Sequence, residues 1–401
     1  MTRPIKFGTD GVRGRFGEWP ITTAGAEQIG IGIATWTKGG RVMIGRDTRE
    51  SGPQLLEALT RGLSRGGSTS IDLGILPTAG VSCAVEAGSD IAAGVMITAS
   101  HNPWQDNGIK VVEASGEKLI DTTALTDCFT APVQRDGGQS EVHPQPLIPW
   151  LNALPQVDLS GRRILLDAAH GAGAKAATDA LKAMGADVVA TASQPNGRNI
   201  NDGVGAMCPP SDLRGCDFAI CLDGDADRLV IVDPEHGILD GDDLLWMLSR
   251  GIPGPVVGTV MSNGGLEEAL GDRLIRTGVG DAKVHAEMTR IGAALGGEPS
   301  GHIMLSGGMP TSDGLYTALR VLECAAGGPL PASGWTRWPQ ALRNVRNVSV
   351  DLEMKAIQEA KDAGHRVLVR ASGTEPLVRV MVEGVDAADW ADRIAQALPR
   401  D

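Results

Sequence analysis

The chain has 401 residues, 42% hydrophobic and 21% charged, which is ordinary globular usage; at roughly 100–200 residues per domain it has room for about two to four domains with separate cores, and disorder is set aside. A formal net charge of −13 argues against a nucleic-acid or anionic membrane surface as the main partner. A small anionic substrate stays open only if arginines and lysines gather locally in a cleft.

In chain order, Arg41 to Ile44 reads as a buried strand, Gln54 to Ser64 as a helix after Pro53, Ser70 to Leu73 as a strand, and Ile91 to Ile97 as a strand running into polar residues at Thr98. The rhythm restarts with a strand at Arg163 to Leu166, a loop and helix over Gly171 to Met184, and strands at Asp187 to Ala190 and Phe218 to Leu222. It restarts again at Pro255 to Val260, with helices over Leu266 to Leu270 and near Ala282 to Ile291. Such alternation predicts α/β layers on mostly parallel sheets. Ala131 to Pro149 and Gly327 to Pro339 are Gly/Pro-rich and read as linkers. The last segment changes character: strands over Arg346 to Leu352, Arg366 to Val369 and Leu377 to Val382, then a helix over Ala387 to Leu398, predict a small α+β domain.

Cys83, Cys128, Cys208, Cys216, Cys221 and Cys324 are scattered, with no C-x-x-C pair and no zinc spacing, and read as idle thiols in a reducing compartment. Met1 to Phe7 holds no apolar signal core, and no segment approaches the roughly 18 apolar residues of a membrane span, so a cytoplasmic protein is expected.

Four segments carry chemistry. Thr98-Ala-Ser-His-Asn-Pro103 follows an apolar strand, where parallel sheets present loops to a crevice; Ser100 is either an exposed nucleophile or phosphate carrier, or it caps a turn together with Asn102. Lys110, shortly after, is a candidate acid/base or phosphate ligand, or a solvated surface lysine. Asp223-Gly-Asp-Ala-Asp-Arg228 lies between two apolar runs, and its three carboxylates converge on one hard cation if the chain turns; unpaired, they repel. It is not an EF-hand loop, because Arg228 and Pro234 stand where Gly and Glu are required. Arg228 beside a metal suits a phosphate oxygen. In Gly297-Glu-Pro-Ser-Gly-His302, Glu298 and Ser300 suit sugar hydroxyls and His302 suits proton transfer; the same residues also make an ordinary Gly/Pro turn. Arg370-Ala-Ser-Gly-Thr-Glu-Pro376, with Arg379 beyond, offers backbone N–H groups, hydroxyls and guanidinium groups to a phosphate. No Walker-type loop or dinucleotide fingerprint is present.

Together, and in this order, these segments resemble the α-D-phosphohexomutase family. Phe7-Gly-Thr-Asp-Gly-Val-Arg-Gly14, Arg198-Asn-Ile-Asn201 and Arg366-Val-Leu-Val-Arg-Ala-Ser-Gly-Thr-Glu-Pro-Leu-Val-Arg-Val-Met-Val-Glu383 add to the likeness, which spans nearly the whole chain. The resemblance implies three consecutive α/β domains with mixed, mostly parallel sheets and a small C-terminal α+β domain, arranged around a central cleft. The expected domains are 1–150, 151–251, 252–340 and 341–401, each giving one loop to the cleft.

It further implies that Ser100 is a phosphoserine, and that Asp223, Asp225 and Asp227 hold Mg2+ with the Ser100 phosphate as a further ligand. Arg13, Lys110 and His302 are placed near the transferred group, with Thr9, His101 and Arg228 as substrate contacts. Glu298 and Ser300 read the sugar, and Arg370, Ser372, Gly373, Thr374 and Arg379 hold the substrate's other phosphate. The implied reaction interconverts a hexose 6-phosphate and a hexose 1-phosphate through a hexose 1,6-bisphosphate, which is intermediate and activator. Within the family the chain is most similar to the branch acting on glucosamine phosphates, whose product feeds nucleotide-sugar synthesis; mannose or glucose phosphates are the alternative, and a catalytically idle sugar-phosphate binder a remote one. A homodimer through the first domain is implied as well. Family members usually carry Gln or Asn where Pro299 stands, Gly where Ala226 stands and an Arg-Tyr pair where Ala282 and Lys283 stand, and Gly205 to Pro209 also strays. These departures leave Ser100 and the three aspartates untouched and bear on the sugar's amine.

Overall fold

The structure, a computed structural model, describes residues 4–8, 10–130, 137–325, 328–330, 334–371 and 377–400. They form two compact units, Met1–Val260 with Ile275–Ala332, and Met261–Leu274 with Ser333–Asp401.

In the first unit, strands β1 (Val12–Arg15), β2 (Arg41–Arg46), β3 (Ser70–Ile75), β4 (Ile91–Ile97), β5 (Asp106–Glu113) and β6 (Ser140–Val142) form a sheet in the order β1-β5-β4-β2-β3-β6. β4, β2, β3 and β6 run parallel, and β5 and β1 add antiparallel at one edge. Residue alternation sends Val42, Ile44, Val95 and Ile97 to one face, with Ile29, Ile33, Leu59 and Leu63 of α1 (Thr23–Trp36) and α2 (Gly52–Arg65). It sends Met43 and Met96 to the other, with Val81 and Val85 of α3 (Thr78–Ala87). A sheet covered on both faces explains why its strands read as apolar runs. Short helices α4 (Thr123–Cys128) and α5 (Ile148–Ala153) follow, so the Pro-rich stretch before Pro149 supplies the edge strand β6. α1 and α2 pack backbone to backbone: a Cβ on Gly62 would stand 2.1 Å from the Glu27 carbonyl oxygen.

A second sheet holds β7 (Arg163–Asp167), β8 (Asp187–Thr191), β9 (Phe218–Leu222), β10 (Leu229–Asp233) and β11 (Gly237–Leu239), in the order β11-β10-β9-β7-β8, with helix α6 (Gly173–Ala183). Leu222 pairs with Leu229 across the β9–β10 hairpin, so residues 223–228 are its turn, gripped by two fully buried strands. Helix α7 (Gly241–Ser249), started by an Asp240/Asp243 capping box, leads to a third sheet. Its strands are β12 (Val256–Thr259), β13 (Leu274–Thr277), β14 (Leu295–Gly297) and β15 (Ile303–Leu305), in the order β13-β12-β14-β15. The intervening α8 (Gly264–Leu270) belongs to the second unit, and α9 (Asp281–Ile291) and α10 (Gly314–Cys324) complete this layer. The β14–β15 turn holds the Gly297 to His302 segment.

The second unit carries an antiparallel sheet of β16 (Gln340–Arg346), β17 (Arg366–Ala371) and β18 (Leu377–Glu383), in the order β16-β18-β17, with α11 (Lys355–Asp362) and α12 (Ala387–Ala397) over Val369, Val378, Val380 and Val382. One expectation is corrected here. The strand predicted over Arg346 to Leu352 lies earlier, at Gln340–Arg346. Asn347 has φ +58°, which ends the extended run, and Leu352 is left 62% exposed. Glu383, the last residue of β18, is fully buried and accepts from Arg366 Nε and Gln340 Nε2 at 2.6 Å each and from the Gly264 N–H at 3.2 Å.

Arg49, in the loop after β2, anchors the loop after β4. It is 1% exposed and donates to Asp47 Oδ2 at 2.8 Å, to the carbonyls of Ser100 and Asn102 at 2.8 Å each, to that of Asp106 at 3.0 Å, and to that of Pro103. Asp47 also accepts from Thr98 Oγ1 at 2.7 Å. Burial pushes the Asp47 carboxyl up, and Arg49 and Thr98 oppose that shift. Asn201 Nδ2, from the second layer, donates to the Ser100 and Asn102 carbonyls at 2.8 and 3.1 Å.

Two stability predictions follow from these buried ions. Glu383→Ala orphans its donors and is expected to cost about 2–3 kcal/mol, read as faster amide exchange in β16 and β18; unchanged protection there would count against it. Arg49→Met strands Asp47 and the carbonyls, at a cost of about 3–5 kcal/mol in chemical denaturation, and Arg49→Lys is expected not to recover it, because an ammonium lacks the five-donor fork.

Candidate active site

The loop after β4 places Ser100 in a left-handed conformation, φ +52°, with 1% exposure. For a side chain that conformation costs about 1 kcal/mol or more, and the Arg49 and Asn201 hydrogen bonds hold it. No helix begins here, and Thr98 Oγ1, not Ser100, accepts the turn's N–H, from Ser100 at 2.9 Å. The Ser100 hydroxyl instead donates to Asp223 Oδ2 at 2.7 Å and lies 3.5 Å from His101 Nδ1. Arg13 Nη1 reaches the neighbouring Ala99 carbonyl at 3.4 Å and pairs with Asp10. Burial, with Arg228 and Arg13 nearby, pushes the His101 imidazole down to about 4, so it is neutral at pH 7.

Asp223, Asp225 and Asp227 are all buried, and one carboxylate oxygen from each lies within 4.8 Å of the others. Gly224 permits the approach of the two loops: a Cβ there would stand 2.5 Å from the Ser100 carbonyl oxygen. Ala226 takes φ +60°, which turns the loop back and aims all three side chains inward. Lys110 of β5, only 6% exposed, donates to Asp225 Oδ2 at 2.7 Å and to Asp227 Oδ2 at 3.3 Å. Thr78 Oγ1 donates to Asp225 Oδ2 at 2.8 Å. Burial, Asp227 and Asp225 push the Asp223 carboxyl well up. Burial would raise Asp225 too, but Lys110 outweighs it and holds that carboxyl well down. The same pairing, against burial, holds Lys110 above the ordinary lysine range.

Asp225 Oδ1 and Asp227 Oδ1 are buried and accept no hydrogen bond. Two orphaned carboxylate oxygens beside a third carboxylate form the all-oxygen donor set a hard divalent cation takes, so these residues fit a metal such as Mg2+.

The third layer closes over this pair of loops. Its β14–β15 turn is held by the Glu298 N–H donating to the His302 carbonyl at 3.0 Å. Glu298 Oε1 accepts from the Gly280 N–H at 2.9 Å, and Ser300 lies in the same turn. His302, 6% exposed, has Nε2 at 2.6 Å from Ser312 Oγ and Nδ1 at 3.8 Å from Asp227 Oδ1. Arg228 donates its N–H to Asp223 Oδ1 at 3.3 Å; burial works against its charge, and Asp223, Asp227 and Glu298 maintain it. The first unit therefore brings together Arg13, Ser100, His101, Lys110, Asp223, Asp225, Asp227, Arg228, Glu298 and His302. Lys283 is exposed, with its chain against Gly278.

In the second unit, Arg370 and Arg379 are direct cross-strand partners on β17 and β18. Thr9, Ser372, Gly373 and Thr374 lie outside the described residues.

Several site residues carried no recognised sequence signal: Asp47, Arg49, Thr78, Lys118, Asp281 and Ser312. Asp47 and Arg49 had a legible cue, since Arg46-Asp-Thr-Arg49 follows an apolar strand just as Thr98 to Pro103 does.

The four-domain layout is matched piece by piece by the phosphoglucomutase/phosphomannomutase family: its alpha/beta/alpha domains I, II and III over residues 4–133, 150–237 and 240–339, and its C-terminal domain over 336–399. A phosphoglucosamine mutase of Syntrophotalea carbinolica is 39% identical, covering 98% of this chain and 97% of its own, and one of Mesorhizobium japonicum is 41% identical, covering 95% and 94%. The fold is shared with a phosphoglucomutase/phosphomannomutase family protein of Burkholderia thailandensis, at a TM-score of 0.80, 23% identity, and 97% of each chain. It is shared too with Aspergillus fumigatus N-acetylphosphoglucosamine mutase, solved with GlcNAc-6P and magnesium, at a TM-score of 0.67, 18% identity, and 98% and 95% of the chains. With every domain matched and relatives near 40% identity along almost its full length, this chain belongs to the phosphoglucomutase/phosphomannomutase family, the α-D-phosphohexomutases.

Proposed function

We propose that the chain is a phosphosugar mutase that interconverts glucosamine 6-phosphate and glucosamine 1-phosphate by way of a phosphorylated Ser100. The observation that carries this reading is the Ser100 hydroxyl held 2.7 Å from Asp223, in a loop pinned by Arg49 and Asn201 against three buried carboxylates. The sugar assignment rests on relatives named phosphoglucosamine mutase that align with the whole chain.

In the forward half-reaction, a hydroxyl oxygen of the hexose monophosphate attacks the Ser100 phosphorus. The new O–P bond forms as the Ser100 Oγ–P bond breaks, and the hydroxyl proton passes to a base of the site. The resulting hexose 1,6-bisphosphate turns over, and its other phosphoryl group returns to Ser100 Oγ as a proton is given back to the sugar oxygen. Lys110 and His302 are the proton-transfer candidates, each beside a different carboxylate oxygen of Asp227. A Mg2+ held by Asp223, Asp225, Asp227 and the Ser100 phosphate would neutralise charge on the phosphoryl oxygens. Arg13, Arg228 and Thr9 serve the same phosphoryl group, and His101 lines it. Glu298, oriented by the Gly280 N–H, and Ser300 hydrogen-bond the sugar hydroxyls. Arg370 and Arg379, with Ser372, Gly373 and Thr374, bind the phosphate that is not reacting. We read the protein as cytoplasmic and dimeric through its first domain; among the described residues no helix is long and apolar enough to cross a membrane.

Turnover measured with glucosamine, mannose and glucose phosphates separates the sugars. The highest kcat/KM is expected for the glucosamine phosphates, and a preference for mannose or glucose phosphates would overturn that part. Ser100→Ala is expected to lower kcat at least about 10^3-fold and to remove any phosphate adduct from the intact mass. Chelation is expected to abolish turnover, and Mg2+ to restore it; full activity in chelator would remove the metal from the scheme.

A further inference from the structure

The surroundings of His302 come from two different α/β layers. Its Nε2 faces Ser312 Oγ at 2.6 Å and Asp281 Oδ2 at 3.8 Å, and its Nδ1 faces Asp227 Oδ1 at 3.8 Å. Ser312 is 2% exposed and directly precedes Asp313, the residue that caps α10 by accepting from the Tyr316 N–H at 2.7 Å. The hydroxyl is therefore fixed to the end of a helix. Asp281 is the first residue of α9, and its Oδ1 accepts from the Ala282 N–H at 2.8 Å, which leaves Oδ2 to face the ring. That oxygen pairs with Lys118, whose Nζ also holds Asp10 at 2.8 Å; Asp10 in turn pairs with Arg13, which reaches the Ala99 carbonyl beside Ser100. Lys118 and Asp10 belong to the first layer, and Asp281, Ser312 and His302 to the third. Burial would raise the Asp281 carboxyl, and Lys118 and His302 hold it down, so an anion stands behind the ring.

We propose that Ser312, Asp281 and Lys118 are positioning residues for His302: the Ser312 hydroxyl fixes the ring edge, Asp281 supplies the anion behind it, and Lys118 ties that anion to the layer that carries Ser100. Residues that orient a functional imidazole through its second nitrogen set its tautomer and direction, and their loss commonly costs about 10–100-fold without touching the reacting atoms. The inference rests on the mutase reading above. It accounts for three polar groups, Ser312 buried and Lys118 and Asp281 half-buried, that the reaction scheme leaves unused.

The test compares the full-length, Mg2+-loaded protein with Ser312→Ala, Ser312→Thr, Asp281→Asn and Lys118→Met. Glucosamine 6-phosphate is the substrate, and the 15N signals of the His302 ring are recorded beside the kinetics, assigned with His302→Asn. Ser312→Ala and Asp281→Asn are each expected to lower kcat about 10- to 100-fold with KM within about threefold, and to shift the ring signals. Ser312→Thr is expected to recover most of the loss. Lys118→Met is expected to add little on top of Asp281→Asn, since it acts through the same carboxylate. A kcat within about twofold of the parent in both Ser312→Ala and Asp281→Asn overturns the proposal. So does a loss that Ser312→Thr fails to repair and that comes with weakened Mg2+ binding, because that pattern marks general disruption. If the parent protein turns over none of the three hexose phosphates, the mutase reading fails by itself, and the ring signals alone decide the positioning role: shifted in Ser312→Ala and Asp281→Asn supports it, unshifted overturns it.

Discussion

Three carboxylates buried within 4.8 Å of one another are the constraint around which the first unit is organised. Like charges in a dry site repel, and each would prefer to take up a proton or return to water. The fold answers with one lysine between two of them, a threonine hydroxyl on one, the Ser100 hydroxyl on another and a backbone N–H from Arg228. This leaves Asp225 Oδ1 and Asp227 Oδ1 without a hydrogen-bond partner. The remaining repulsion is what a divalent cation is suited to relieve, and rigid strands hold the cluster ready for one.

The rigidity has a simple origin. The aspartate turn is clamped by two strands in which every residue is buried, and the serine loop by one arginine donating to three of its carbonyls and to that of Asp106, where β5 begins. Both loops leave the carboxyl ends of strands, β4 and β9, that each pair in parallel on one side and antiparallel on the other, and strand ends of this kind are where such sheets present chemistry. Glycine at position 224 then lets the two backbones meet closer than any side chain would permit. The same geometry explains how a chain of net charge −13 handles an anionic substrate: the cations that matter are few and local, with Lys110 buried and Arg13 and Arg228 half-buried.

Part of this was legible in the sequence. Apolar runs marked the strands, and the polar segments directly after them marked Ser100, the aspartate turn and the Glu298 to His302 turn, because strand ends are where polar residues leave the core. The strand over Arg346 to Leu352 was misplaced because Val348, Val350 and Leu352 alternate like a half-buried strand, whereas the actual pairing partner of β18 begins at Gln340 and stops at the left-handed Asn347. The helix α8 is contiguous in sequence with the third layer but packs in the second unit, where Asn263 exchanges hydrogen bonds with the Trp338 backbone. No local pattern encodes that choice.

The sequence by itself determined which residue types stand at the strand ends, and so the class of chemistry: a hydroxyl, a carboxylate cluster, a carboxylate–imidazole turn and a pair of arginines. Those are properties of short segments, written in periodicity and composition. Only the tertiary structure decided how they are held. Arg49 becomes the buried anchor of the Ser100 loop, and Lys118, Asp281 and Ser312, more than 150 residues apart at the extremes, meet around His302. Such assignments depend on which groups share a water-free space after folding, and burial is a property of the packed chain, not of any segment of it.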